Sequence, residues 1–416
     1  MSMFGTVLDK AQGLFSRGFL LGAYFPVLIF AALNLTIAYF GLRGPDDTFA
    51  TVKKAWWPSE GADQATLTAA VLMTLGVVAY VLSTLTNVLR GLLEGEFLGP
   101  MRLALIGKHQ QEVDTRQQGL DQTKGRLIGF ESLKSRLDNE LNEAAAAANP
   151  NAPVDEQRIK RAEELLQRTR SRSLGEDTRH ERLDNAIVAV VAAARNNPLG
   201  GDRAEAQAVE ARLDDVLQVL RGELDGAIAE AGRDYANAWS NIHENYVPND
   251  VRPTRIGNLR AVTESYSDKA YGVRFDYLWP RLQPLLAKDD KVAQLVELAK
   301  AQLDSAVLML SLTIGSTAVW FVVLAVWGTS PWPFLAVAAL APAAMSFFSV
   351  MVAQTQAVFG ASVQSTIDVF RLDLLARLHI PLPDRLSSER ARWDALQQMA
   401  NDAVALADLV YDHRKS

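Results

Sequence analysis

Five arginines, Arg252, Arg255, Arg260, Arg274 and Arg281, share one short stretch with Tyr266, Tyr271, Tyr277 and Trp279. These residue types suit one kind of chemistry. A guanidinium fork grips phosphate through parallel N–H donors, and an aromatic ring stacks on a base or rests at the level of lipid head groups. The stretch also carries Glu264, Asp268 and Asp276, so it reads equally as a connector whose arginines are neutralised by nearby carboxylates. Two readings stand: contact with an anionic ligand or head group, and structural ion pairing.

Little else in the chain offers chemistry. The five histidines, His109, His180, His243, His379 and His413, are dispersed without metal-ligand spacing. There is no cysteine, which excludes thiol catalysis and disulfides. No phosphate-cradling glycine loop, H-E-x-x-H helix or G-x-S-x-G elbow occurs. The carboxylate pairs Asp214–Asp215 and Asp289–Asp290 suit solvated helix faces or turns. The sequence therefore predicts a protein that is not an enzyme and holds no cofactor. A net charge of −6 gives no reason to expect nucleic-acid binding.

The elements that must position these residues are dominated by a bilayer signal. Gly18–Leu42, Gln64–Leu89 and Ser305–Ile367 contain no Asp, Glu, Lys or Arg. A hydrocarbon core ~30 Å thick needs roughly 20 apolar residues of helix. The first two runs each supply one span, and the third supplies two joined by "GTSPWP", Gly328–Pro333. Proline breaks a helix there, and Trp327 and Trp332 suit a membrane–water boundary. Four spans place both termini and the long middle region on one side. Lys10, Arg17, Arg90, Arg102, Lys108, Lys288, Lys291, Lys300, Arg371 and Arg377 crowd that side, against Arg43, Lys53 and Lys54 opposite. The positive-inside bias makes the shared side cytoplasmic, with Trp56 and Trp57 in an outer aromatic belt.

The expected fold is all-α: four transmembrane helices in two hairpins, with a cytoplasmic helical bundle or coiled-coil domain inserted between spans 2 and 3. Its boundaries are an amphipathic segment 1–17, hairpin 18–90, cytoplasmic domain 91–304, hairpin 305–360 and C-terminal helices 361–416. Residues 89–107 read as an exit helix bent at Pro100. Heptad-like spacing of Val113, Leu120, Leu127 and Leu141, complemented by Phe130, Leu137 and Ala144, suggests a coiled-coil face interrupted by Lys134. Arg203–Tyr246 reads as one long amphipathic rod. Leu396, Met399, Ala403, Leu406 and Val410 form a last apolar stripe that must be buried.

Within the spans the polar candidates are Asn34, Thr74, Asn87, Ser316 and Gln354. Such groups hold helices together or line a pore. Gly18-x-x-x-Gly22 and the alanine-rich 336–344 allow close helix contact.

The Arg252–Arg281 stretch, taken with "LHIPLPDRLSSERARWDAL", Leu378–Leu396, resembles uncharacterised bacterial membrane proteins of similar layout. That resemblance implies a bacterial inner-membrane setting and transfers no functional residue. The expected function is an inner-membrane scaffold or sensor-effector that meets the lipid bilayer, forms a homo-oligomer and receives a cytoplasmic protein partner. The alternative is an oligomeric channel.

Overall fold

A computed structural model describes residues 17–42, 61–146, 156–169, 176–196 and 204–402. Every regular element among them is a helix. The helices are α1 (Phe25–Leu42, entered through a π-helical turn at Leu20–Tyr24), α2 (Gly61–Glu94), α3 (Met101–Ala146), α4 (Glu156–Thr169), α5 (Glu176–Asn196) and α6 (Ala204–His243). After them come α7 (Arg255–Tyr271), α8 (Phe275–Leu286), α9 (Asp290–Trp327), α10 (Pro331–Arg377) and α11 (Leu386–Asp402). The segment expected as an N-terminal amphipathic helix, the loop bearing Lys53, Lys54, Trp56 and Trp57, and Ala403, Leu406 and Val410 lie outside the described residues.

Four helical stretches are long and apolar enough to cross a membrane: Leu20–Leu42, Thr68–Glu94, Asp290–Trp327 and Pro331–Arg377. Their outward faces carry large apolar side chains: Leu35 is 65% exposed, Met73 72% and Leu340 68%. Water tolerates such continuous apolar surface poorly, and lipid does not penalise it. The backbone needs no outside partner, because each helix satisfies its own N–H and C=O groups.

The chain divides into two compact units, residues 111–243 and the remainder. Within the stretch expected as one domain, 91–304, residues 111–243 therefore pack by themselves. Residues 244–304 pack with the apolar helices.

In the 111–243 unit, Phe130, Leu133 and Leu137 of α3 meet Ile159 and Leu166 of α4, Leu183, Ile187 and Val190 of α5, and Leu213, Leu220 and Leu224 of α6. The i, i+3, i+4 spacing of these residues makes each helix present one apolar stripe, and burying four stripes together makes the core. Lys134, where the apolar seam breaks, reaches Asp225 on α6 at 2.7 Å. Arg136 pairs with Asp184 and Arg212 with Glu163 around the rim.

In the other unit, α1 packs on α9, and α9 forms an antiparallel hairpin with α10. The Thr329 N–H donates to the Gly41 carbonyl at 3.2 Å, so the α9–α10 tip and the C-terminus of α1 lie at one end. At the opposite end the α2 terminus meets α7, and Arg90 of α2 pairs with Asp304 of α9 at 2.6 Å. Gly18 and Gly22 both face α9, against Glu297 and Ala301. Residues 89–107 are not one bent exit helix. Helix α2 continues to Glu94, a turn carrying Gly95 and Gly99 at positive φ follows, and α3 starts at Met101.

Candidate functional site

The site begins at the last residue of α2. Gly95 turns the chain there at φ 88°, and a Cβ at that position would fall 2.5 Å from Pro253 Cγ. Only glycine meets both demands. Gly257 lets the first turn of α7 approach equally closely, since a Cβ there would lie 2.9 Å from the Glu94 carbonyl oxygen. Thr254 caps α7 by accepting the Gly257 N–H. Asn258, fully buried, ties the preceding turn. Its Oδ1 accepts the Arg252 N–H, and its Nδ2 donates to the carbonyls of Arg252 and Thr254. The backbone around Arg252 is thereby fixed before any charge is placed.

Charges then converge. Arg260 Nη1 donates to Glu94 Oε2 at 2.5 Å and its Nε donates to Glu264 Oε1 at 2.7 Å. Arg252 Nη2 reaches Glu264 Oε2 at 2.7 Å and Asp250 at 3.2 Å. Burial alone would lower the Arg260 guanidinium, but Glu94 and Glu264 outweigh it and the shift is upward. The result is a held, charged lattice. Beside it lies a cavity of about 320 Å³ lined by Glu94, Glu96, Arg102, Asp250, Arg252, Arg260 and Glu264 with Gly95, Val251 and Pro253. Glu94 is 3% exposed, and its Oε1 has no hydrogen-bond partner among the described residues. Buried carboxylate oxygens are normally satisfied, so this one stands out.

The five sequence-predicted arginines do not form one site. Arg252 and Arg260 meet at Glu264. Arg255 is exposed at the first position of α7. Arg274 pairs with Asp276, two residues on, and its hydrogen bond holds that carboxyl below the usual carboxylate range. Arg281 donates to the Tyr277 carbonyl and lies 3.8 Å over the Tyr277 ring. Ion pairing with Glu264 and Asp276 accounts for Arg252, Arg260 and Arg274. The Asp268 backbone carbonyl accepts the Gly272 N–H that closes α7.

The aromatic members of the stretch serve a second network. Tyr266 and Tyr271 donate their hydroxyls to Asp368 of α10 at 2.8 and 2.6 Å. Burial first, and the bond to Asp368 second, push the Tyr271 phenol well above its ordinary value. Arg371 sits 4.2 Å over the Tyr271 ring and donates through Nε to Glu389 of α11 at 2.9 Å. Trp393 Nε1 donates to the same carboxylate, and its ring is wholly buried among Leu278, Leu282, Leu375 and Leu396. Gln397 accepts the Arg274 N–H and donates to the Gly272 carbonyl. Helix α11 thus docks through Glu389, Trp393, Leu396 and Gln397. Of the expected stripe from Leu396 to Val410, the two described members differ: Leu396 is buried and Met399 is 37% exposed.

The polar span residues are separate from both networks. Asn34 Nδ2 donates to the Phe30 carbonyl and its Oδ1 accepts Trp320 Nε1 at 2.5 Å, linking α1 to α9. Thr74 returns its hydroxyl to the Ala70 carbonyl and Ser316 to the Thr313 carbonyl. Asn87 and Gln354 are exposed on α2 and α10.

Glu94, Asp304, Asn258, Asp368 and Trp393 are the side chains that the reading of the sequence missed. A carboxylate bounding an uncharged run, as Asp304 and Asp368 bound Ser305–Ile367, is the one signal that could have pointed to two of them. Among the described residues no group of three His, Cys, Asp or Glu is placed to hold a metal ion. Comparison of the chain with family models, with curated proteins and with solved structures gives no match.

Proposed function

We propose that the chain is an integral inner-membrane scaffold or sensor-effector of a bacterial cell, working by self-association and by binding a partner through its 111–243 unit on the cytoplasmic side. The observation that carries this reading is the exposed face of α10. Ala336, Ala339 and Ala343, spaced by three and four, lie outward together with Pro342. Small residues on the face of an apolar helix let a second backbone approach closely, and such packing drives association where lipid offers no hydrophobic gain. The covalent layout adds support. The 111–243 unit has its own core and hangs between the second and third apolar helices, so it can present a polar, ion-paired surface without disturbing the spans.

A pore is the weaker reading. Asn34, Thr74 and Ser316 spend their polar groups on neighbouring helices or on their own backbone. The cleft of about 540 Å³ between α1, α9 and α10 is walled largely by Ile, Leu, Phe, Ala and Trp. That lining favours a lipid chain over a hydrated ion.

Replacing Ala339 and Ala343 together by Leu should shift the particle in nanodiscs from oligomer to monomer, read by native mass spectrometry. An unchanged oligomer mass would remove α10 from the interface. A parent protein that is monomeric at every loading would defeat the assembly reading itself.

A further inference from the structure

We propose that the cavity between the end of α2 and the start of α7 binds a small zwitterion, a primary ammonium group beside a phosphate, as in an aminoalkyl phosphate head group. One carboxylate oxygen at the cavity is left over. Glu94 Oε2 is taken by Arg260, while Glu94 Oε1 is buried in a residue that lines the cavity and accepts nothing from the described residues. A carboxylate oxygen only accepts, so its occupant must bring an N–H or O–H donor. The wall carries four carboxylates, Glu94, Glu96, Asp250 and Glu264, against three guanidiniums, Arg102, Arg252 and Arg260. The excess is one negative charge, which favours a positively charged donor over a neutral one.

The same wall asks for an anion at a second point. Arg252 and Arg260 are engaged with carboxylates. The Arg102 side chain lines the cavity with no ion pair among the described residues. A guanidinium in that position suits phosphate. A bare divalent cation fits less well, because guanidiniums alternate with the carboxylates and no trio of them is placed for a metal. Volume agrees: about 320 Å³ is room for on the order of ten waters, hence for a small head group. Position agrees too. The cavity opens where the apolar run of α2 ends, at Glu94, the depth at which a bilayer changes from hydrocarbon to head groups.

This ligand goes beyond the scaffold reading and does not depend on self-association; the lipid source alone depends on the chain spanning a bilayer. Its test uses the full chain in nanodiscs of equal phosphatidylethanolamine and phosphatidylcholine, with native mass spectrometry counting the lipids retained as the disc is stripped. A quaternary choline has no N–H to give Glu94. The parent should therefore keep the ethanolamine lipid over the choline lipid by about tenfold, the scale of one charge-assisted hydrogen bond. Glu94→Gln should abolish the preference, and Arg102→Ala, at an exposed position, should weaken retention several-fold with helicity unchanged. Millimolar O-phosphoethanolamine added in detergent separates the sources. Displacement of the lipid assigns the site to the head group in free or lipid form, and persistence of the lipid assigns it to the lipid alone. Equal retention of the two lipids by the parent would overturn the proposal. So would a preference that survives both substitutions. Oligomer mass, read in the same spectra, reports separately on the scaffold reading.

Discussion

Arg260→Ala is expected to cost about 3 kcal/mol of stability in detergent, followed by helicity and tryptophan fluorescence during chemical unfolding. The reason is asymmetry. Glu94 has a side chain only 2% exposed, and removing its partner strands a charge away from water, which costs roughly 3–5 kcal/mol in buried pairs. Arg260 is 39% exposed, so water can replace part of what it supplied, and the lower end applies. Removing both charges, Glu94→Gln with Arg260→Met, should cost much less than Arg260→Ala alone, because no stranded ion remains. Arg274→Ala is the internal control: its pair with Asp276 is solvated and its loss should be indistinguishable from the parent. If Arg260→Ala matches Arg274→Ala, the lattice around Glu264 does not anchor α7 to α2.

Trp393→Ala should be the most damaging change in α11. The ring is wholly buried, and deleting a buried Trp to Ala costs about 3–5 kcal/mol through lost burial and the cavity left behind. The indole N–H also leaves Glu389, a buried carboxylate otherwise held, among the described residues, by Arg371. Undocking should expose the chain near Arg385 and Arg390 to trypsin at early times, with the 111–243 unit still protected. Met399→Ala, on the half-exposed side, should leave the tryptic pattern unchanged. Equal resistance of the Trp393→Ala variant and the parent would mean that α11 is held by something other than its Trp393 face.

The parts of this molecule that the sequence displays are those written in contiguous runs. An uncharged run of membrane length needs no tertiary partner to be recognised, and "GTSPWP" marks its own turn at Gly328–Ser330 between α9 and α10. The apolar stripe of α6, from Val209 through Leu213, Leu220 and Leu224, is equally local and equally buried. The site is different. Glu94 and Arg260 are 166 residues apart, and the end of an apolar helix looks the same whether its carboxylate is solvated or sealed. Asp368 meets Tyr266 and Tyr271 about a hundred residues away in the chain. In α11 the apolar period pointed along Leu396 and Met399. The docking face is instead set by Trp393 with two polar residues, Glu389 and Gln397, whose burial depends on partners in α7, α8 and α10. Hydrophobic period alone gives such polar positions no weight.

The arrangement of the spans can be settled in intact cells, because the chain has no cysteine and a single one introduced by mutation reports alone. Thr329→Cys, exposed at the α9–α10 tip, and Ser59→Cys in the first loop should react with a membrane-impermeant maleimide added outside. Ala146→Cys, at the end of α3, and Ser416→Cys should react only after the cells are permeabilised. Labelling at position 146 from outside, with protection at 59 and 329, would contradict the cytoplasmic placement of the 111–243 unit, and opposite behaviour of 59 and 329 would contradict the four-span account.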